Sequence, residues 1–139
     1  MKKITANLMV EDVNKTIDYY VKNLDFKFVM GVDANKNTKL AEWDGTKLIW
    51  AIIKKNDVEI MLQAQHSLID EVPEFKGRTV GGTFTLYISM SDTKRFYQQI
   101  KNKVEIIKDL HKTFYGAYEF AIKDLNGYIL YFAQLQEDK

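Results

Sequence analysis

The feature that most constrains the fold of this chain is an internal repeat. Thr5–Tyr20 reads TANLMVEDVNKTIDYY, and from Thr85 the sequence TLYISMSDTKRFYQQI follows the same plan of an alternating run, an aspartate and helical spacing. Asp12 and Asp92 occupy the same place in the two copies. A strand that leads into a helix at corresponding points of both halves predicts two similar modules.

Apolar periodicity and turn residues predict the elements of each half. Asp12 is expected to cap a first helix that ends near Asn23, and Asp92 to begin a second. Strands are predicted at Lys3–Val10, Phe26–Val32, Leu40–Trp43, Leu48–Ile53, Val58–Ala64, Thr83–Met90, Val104–Ile107, Phe114–Ile122 and Tyr128–Leu135. We interpret each half as β-α-β-β-β, with one strand more in the first half. The predicted fold class is α+β, a single domain over residues 1–139 with modules at about 1–65 and 83–139.

The connector, at about 66–82, carries the only proline, Pro73. Ser67 is expected to cap a short helix over Leu68–Val72, which Pro73 ends. We expect the two modules to form one curved eight-stranded mixed sheet around a cleft, with the helices on its outer face.

Composition excludes several classes of function. Twenty basic and nineteen acidic residues give a net charge of +1, so neither nucleic acid nor an anionic membrane is an expected partner. The opening MKKITANLMVED predicts neither a signal peptide nor a membrane span, and we expect a cytoplasmic protein. The absence of cysteine excludes disulfides, thiolate nucleophiles and thiolate metal ligands.

With one helix on one side of each module, the opposite face of the sheet is left uncovered. Strand alternation places a mixed polar and apolar set there: Thr5, Asn7, Met9, Glu59, Met61, Gln63, Thr85, Tyr87, Ser89, Ile129, Tyr131 and Ala133. Concave surfaces that are mostly apolar with a few polar groups are where small molecules bind, so this face is the expected site.

Three segments carry a family likeness: VEDVNKTIDYYVKNLDFKF at Val10–Phe28, VEIMLQ at Val58–Gln63 and FYGAYEFAIKDLNGYILYFAQ at Phe114–Gln134. In this order and spacing they resemble the glyoxalase, bleomycin-resistance and extradiol-dioxygenase superfamily, also called the vicinal oxygen chelate fold. The resemblance implies paired βαβββ modules around a cavity, commonly in homodimers.

The resemblance also implies four positions for metal ligands, usually His and Glu, in the metal-dependent members of the superfamily. Matching them to this sequence gives Thr5, Met61, Thr85 and Tyr131. These side chains do not make a site for a cation that favours imidazole or carboxylate oxygen. We therefore expect no cofactor and no divalent metal.

Other catalytic chemistry has weak support. Glu59 is a weak candidate for a general base, or for an oxygen ligand of a displaced metal site; pairing with a lysine or arginine, or hydration, is the simpler interpretation. His66 and His111 are interpreted as solvated residues of the connector and of a turn. Asp12, Asp92 and Asp124 are interpreted as caps and turn residues.

The resulting hypothesis is a metal-independent protein that binds a small organic ligand, as bleomycin-resistance proteins do, and that sequesters a toxic or antibiotic compound. Aromatic residues that could reach the cleft are Trp43, Trp50, Tyr87, Phe114, Tyr115 and Tyr131. The predicted ligand-binding residues are Thr5, Asn7, Trp50, Glu59, Met61, Gln63, Thr85, Tyr87, Phe114, Tyr115 and Tyr131. The alternatives are a lyase or isomerase of glyoxalase type with a displaced metal, and an interaction module whose cleft is filled by its own side chains.

Overall fold

A computed structural model describes residues 1–135. Its helices are α1 (Val13–Leu24), α2 (Gln65–Glu71) and α3 (Thr93–Ile100), and Pro73–Phe75 forms a 3₁₀ turn. Its strands are β1 (Ala6–Val10), β2 (Lys27–Asp33), β3 (Thr38–Lys39), β4 (Leu48–Lys55), β5 (Val58–Ala64), β6 (Thr85–Ser89), β7 (Glu105–Lys112), β8 (Ala117–Lys123) and β9 (Ile129–Leu135). The α+β class and the repeated β-α-β-β-β order are confirmed, with the two-residue β3 in addition.

The chain divides into two compact units, Met1–Val80 and Gly81 onward, and each has its own sheet. The first sheet has five strands in the order β1-β5-β4-β2-β3, and the second has four in the order β6-β9-β8-β7. In each unit the first strand runs parallel to the last, and the remaining pairs are antiparallel. A combined eight-stranded sheet, and a single domain made of both units, stay predictions.

The core of the first unit lies between α1 and one face of its sheet. Leu8, Leu62 and Ala51 are neighbours across three strands and are at most 1% exposed. The α1 residues Val13, Ile17, Tyr20 and Leu24 are buried too, at the spacing that makes one face of a helix apolar. The opposite face of the sheet is thereby left for other contacts.

The core of the second unit lies between α3 and its sheet. Phe120 and Phe132 are cross-strand partners whose rings stack with centroids 5.2 Å apart. Phe96 of α3 packs edge-on against Phe132, with ring centroids 5.0 Å apart. Such aromatic pairs stabilise the fold beyond the burial of apolar area alone. The helix α3 therefore covers one face of this sheet and leaves the other face uncovered.

The two aspartates of the repeat differ in local geometry. The Asp12 side chain accepts a hydrogen bond from the Lys15 backbone N–H at 2.9 Å, which is the expected N-cap. Asp92 also precedes its helix, but it has a left-handed backbone (φ 57°) and its side chain makes no capping hydrogen bond. The predicted cap of α1 is confirmed, and Asp92 begins α3 as predicted, but without a hydrogen bond from its side chain.

Several boundaries differ from the predictions. Leu40–Trp43 is a turn closed by the Trp43 N–H on the Leu40 carbonyl at 2.9 Å, and Leu40 is 63% exposed. The connector helix begins at Gln65, without a side-chain cap from Ser67, and Pro73 starts a 3₁₀ turn. His111 lies on β7, which continues through the expected turn. Among residues 1–135, no helix is both long and apolar enough to cross a membrane.

Candidate functional site

A cleft of about 920 Å³ opens on the face of the first sheet opposite α1. The strands contribute Asn7 (β1), Val32 (β2), Ile49 and Trp50 (β4), and Met61 and Gln63 (β5), and α2 with the β2–β3 turn supplies Ala34, Lys36, His66, Ser67, Asp70 and Glu71. Strand pairing brings the strand residues together, because Asn7 lies opposite Met61, and Trp50 lies opposite Gln63. The floor is therefore set by the register of the sheet.

Gln63 is the central polar group of this cleft, and it is only 5% exposed. Its Oε1 accepts a hydrogen bond from Asn7 Nδ2 at 2.9 Å. Its Nε2 donates to Ser67 Oγ at 2.9 Å and to Glu71 Oε1 at 3.2 Å. These bonds fix which end of the amide is donor and which is acceptor, so the amide is held in one orientation.

The charged residues of the cleft come mostly from one face of α2. Ser67, Asp70 and Glu71 follow the i, i+3, i+4 spacing of neighbours on a helix surface. Lys36 is the lysine that lines the same cleft. Two carboxylates against one ammonium leave this surface with a negative balance when His66 is neutral, which favours neutral or cationic ligands over anions.

The open face of the second sheet carries a buried carboxylate. Glu119 on β8 is 4% exposed, and its Oε2 accepts a hydrogen bond from Tyr87 Oη at 2.5 Å and another from Tyr115 Oη. Tyr131 on β9 lies opposite Tyr87 on β6, and their rings stack with centroids 6.2 Å apart. Two tyrosines thus donate to one acid within the second unit, and a third stacks on one of the two.

The two phenols that donate to Glu119 titrate abnormally. The hydrogen bond to the Glu119 carboxylate, together with burial and the carboxylate charge, raises the pKa of Tyr87 far above its ordinary value of 10.0. The same acceptor raises the pKa of Tyr115. A neutral phenol can donate to the carboxylate, whereas a phenolate would be repelled by it, so both hydroxyls keep their protons.

The structure distributes the predicted site residues unequally. Asn7, Trp50, Met61 and Gln63 line the first cleft. Tyr87 and Tyr115 donate to Glu119, and Tyr131 stacks on Tyr87. The remaining predicted residues take other places: Thr5 precedes β1, Glu59 pairs with Lys3 at 2.9 Å, Thr85 is exposed on β6, and Phe114 is fully exposed. Trp43 stacks on Phe28 with centroids 4.9 Å apart and does not line this cleft.

Sequence reasoning missed Glu119 and the α2 residues of the cleft. The signal for Glu119 was a charged residue within an apolar strand, with alanines two residues away on each side at Ala117 and Ala121. The signal for α2 was the spacing of Ser67, Asp70 and Glu71, which the late predicted start of the helix obscured.

The residues at the four implied metal positions do not fit a divalent cation. Within the first unit these are Thr5 and Met61, and within the second they are Thr85 and Tyr131. Hydroxyl, thioether and phenol groups are poor substitutes for imidazole and carboxylate. In the described chain, residues 1–135, no three His, Asp or Glu side chains come together as a metal ion would need.

Several solved structures have the same fold as this chain. The chain is similar in structure to a protein of unknown function from Agrobacterium tumefaciens (17% identity, TM-score 0.72, 98% of this chain and 95% of that one). It is also similar to a glyoxalase/bleomycin resistance protein/dioxygenase from Nocardioides (13% identity, TM-score 0.71, 100% of this chain and 87% of that one). A third similar structure is a glyoxalase/bleomycin resistance protein/dioxygenase family enzyme from Burkholderia phytofirmans (16% identity, TM-score 0.70, 95% of this chain and 97% of that one).

Sequence comparison assigns the family. None of the curated proteins matches the chain. The model of one protein family matches residues 4–132, which is nearly the whole sequence. The chain therefore belongs to the Glyoxalase/Bleomycin resistance protein/Dioxygenase superfamily.

Proposed function

We propose that this chain is a metal-independent binding protein for a small organic molecule, which it holds in the cleft of the first unit. The observation that carries the proposal is the cleft of about 920 Å³ with the Gln63 amide fixed at its floor. Small-molecule sites are typically cavities of roughly 300–1,000 Å³ with apolar walls and a few fixed polar groups. A ligand that hydrogen-bonds to the Gln63 amide does not have to reorient it, because its neighbours already hold it in place.

The walls indicate the chemistry of the ligand. Val32, Ile49 and Met61 supply aliphatic surface, and Trp50 supplies the aromatic surface. A planar group stacked on an indole gains roughly 0.5–2 kcal/mol, with the larger values for a desolvated cation. We therefore expect a neutral or cationic compound with a planar part, and we propose that the protein sequesters such a compound, a toxic or antibiotic one included.

The test uses the two tryptophans of the chain. The variant Trp43→Phe leaves Trp50 as the only indole, so quenching or a shift of its emission reports on the cleft alone. Planar, cationic and antibiotic libraries are first screened by thermal shift, where a ligand at about 100 times its Kd adds about 2.7 kcal/mol. Hits should then alter Trp50 emission with saturation. Stabilising ligands that leave Trp50 emission unchanged would refute this location, and libraries without any stabiliser would refute the proposal.

A matched pair of variants tests the role of the fixed amide. Gln63→Leu removes the hydrogen-bonding group at the cleft floor and should weaken a confirmed ligand about tenfold, the equivalent of about 1.4 kcal/mol. Gln65→Leu is the control, because Gln65 donates to the Arg78 carbonyl and does not line the cleft. Equal effects of both substitutions would mean that Gln63 does not contact the ligand.

Two further expectations belong to this proposal: a cytoplasmic location and a homodimer. Superfamily membership supports the dimer, since the fold commonly occurs in pairs. Sedimentation equilibrium of the full chain should give twice the mass of 16.2 kDa. A monomer at all concentrations would refute the dimer and leave ligand binding in the first unit unaffected.

A further inference from the structure

Glu119 is a buried carboxylate that lacks a countercharge. It is 4% exposed, and both of its hydrogen bonds, from Tyr87 and Tyr115, fall on Oε2. Within residues 1–135, Oε1 accepts no hydrogen bond and no cationic side chain forms an ion pair with Glu119. Since buried charges are normally paired, one oxygen of this acid is available to a positive partner.

The cationic side chains on the same face of the sheet make other contacts. Lys123 pairs with Glu105 at 3.6 Å, and Lys108 Nζ lies 6.0 Å from the centroid of the Tyr131 ring. His111 lies directly opposite Glu119 in the β7–β8 ladder, but its Nδ1 is 2.8 Å from the Asp109 carbonyl oxygen. None of the three is within ion-pair distance of the Glu119 carboxylate in the described chain.

The tyrosines around the acid leave ring surface for a ligand. Tyr87 is 50% exposed and Tyr115 is 49% exposed, although both hydroxyls are held by Glu119. Tyr131 extends this surface by stacking on Tyr87 with an interplanar angle of 26°. Aromatic faces attract cations through their quadrupole, and a carboxylate adds a direct charge partner. An aromatic wall beside a free anionic oxygen is the arrangement that recognises an organic ammonium group.

We propose that Glu119, with Tyr87, Tyr115 and Tyr131, forms a binding site in the second unit for the positively charged amino group of an organic ligand. The ammonium donates to Oε1 of Glu119, and the carbon atoms next to it lie against the exposed tyrosine rings. The site depends only on residues of the second unit, so it does not rest on the function proposed for the first.

The test uses three probes that share a phenylethyl group and differ in charge: 2-phenylethylammonium, 2-phenylethanol and 3-phenylpropionate. Each is titrated into the full chain labelled with ¹³C, and the side-chain resonances of Glu119 and the tyrosine rings are followed. The ammonium should bind at least tenfold more tightly than the alcohol and the carboxylate, shift the Glu119 Cδ resonance, and give nuclear Overhauser contacts to the rings of Tyr87 and Tyr131. These readouts use the unmodified protein, so they do not depend on a variant that folds.

Glu119→Gln keeps the shape of the side chain and removes its charge, and it should abolish the preference for the ammonium. The control is Glu105→Gln, which removes one negative charge from the same unit at an exposed position on β7. It should retain the preference. Equal binding of the three probes to the wild type would overturn the proposal. An unchanged preference in Glu119→Gln, or an equal loss in Glu105→Gln, would overturn it as well.

Discussion

At the scale of single residues, the uncovered faces of the two sheets carry different polar groups. In the first unit, the polar group is a neutral amide, Gln63, whose partners Asn7, Ser67 and Glu71 satisfy both of its ends. In the second, it is an acid, Glu119, whose two donors satisfy one oxygen only. We propose that the satisfied amide selects a ligand by orientation, and that the half-satisfied carboxylate selects one by charge.

The tyrosine–carboxylate contact should make the folded protein less stable at alkaline pH. Because the pKa of Tyr87 is raised in the folded protein above the ordinary 10.0, its contribution to stability is complete below about pH 10 and is lost as the pH rises further. Urea unfolding at pH 8 and at about pH 11 should show a larger loss of stability in the wild type than in Tyr87→Phe. The Glu119→Gln chain should resemble Tyr87→Phe. Identical losses in all three chains would contradict the assignment.

The residues that line the first cleft were partly predictable from the sequence. Alternation placed Asn7, Met61 and Gln63 on one face of their strands, and strand pairing does bring them together. The partners of Gln63 were not predictable, because they depend on where α2 begins, and no side-chain cap marks that start at Ala64. Helix boundaries without capping residues leave little trace in a sequence.

At the scale of elements, the two helices of the repeat begin in different ways. The side chain of Asp12 caps α1, whereas Asp92 has a left-handed backbone and caps nothing with its side chain. Asp12→Ala should lower the free energy of unfolding by about 1 kcal/mol, the usual value of a lost N-cap. Asp92→Gly is the contrasting variant and should be neutral or stabilising, since glycine adopts positive φ without strain. Urea denaturation measures both, and equal destabilisation would refute the distinction.

Strands were predicted correctly where apolar and polar residues alternate. A strand was predicted wrongly where a turn contains several apolar residues. Val58–Ala64 was predicted with the bounds that the structure has, because β5 lies between two neighbours and its alternation is clear. Leu40–Trp43 is apolar enough to suggest a strand, but β3 pairs with β2 only through Thr38 and Lys39. Composition alone cannot show that a short apolar run lacks a partner.

That difference can be measured with two leucines. Leu62 on β5 is completely buried, so Leu62→Ala should cost about 2–5 kcal/mol through lost burial and a cavity. Leu40 is 63% exposed in its turn, and Leu40→Ala should change stability by less than about 0.5 kcal/mol. Chemical denaturation of both variants provides the comparison. A large loss in Leu40→Ala would indicate that this turn is buried in solution, by a second copy of the chain for example.

At the scale of the whole molecule, metal independence has a direct test. The positions implied for ligands hold Thr5, Met61, Thr85 and Tyr131, so protein purified without chelator should contain no stoichiometric zinc, nickel, manganese or iron by elemental analysis. On this proposal no bound ion stabilises the folded state, so EDTA should leave the melting temperature unchanged. Stoichiometric metal together with a melting temperature lowered by EDTA would favour the lyase or isomerase alternative instead.

The pairing of first strand with last strand also sets an order of events during synthesis. Ala6–Val10 is synthesised before its partner strand, Val58–Ala64. In the same way, Thr85–Ser89 is synthesised before its partner strand, Ile129–Leu135. Contacts between distant segments form slowly because the chain between them must first be ordered. The edge of each sheet is therefore completed last although its residues are made first, and until then a nascent chain exposes an unpaired strand for chaperones to protect.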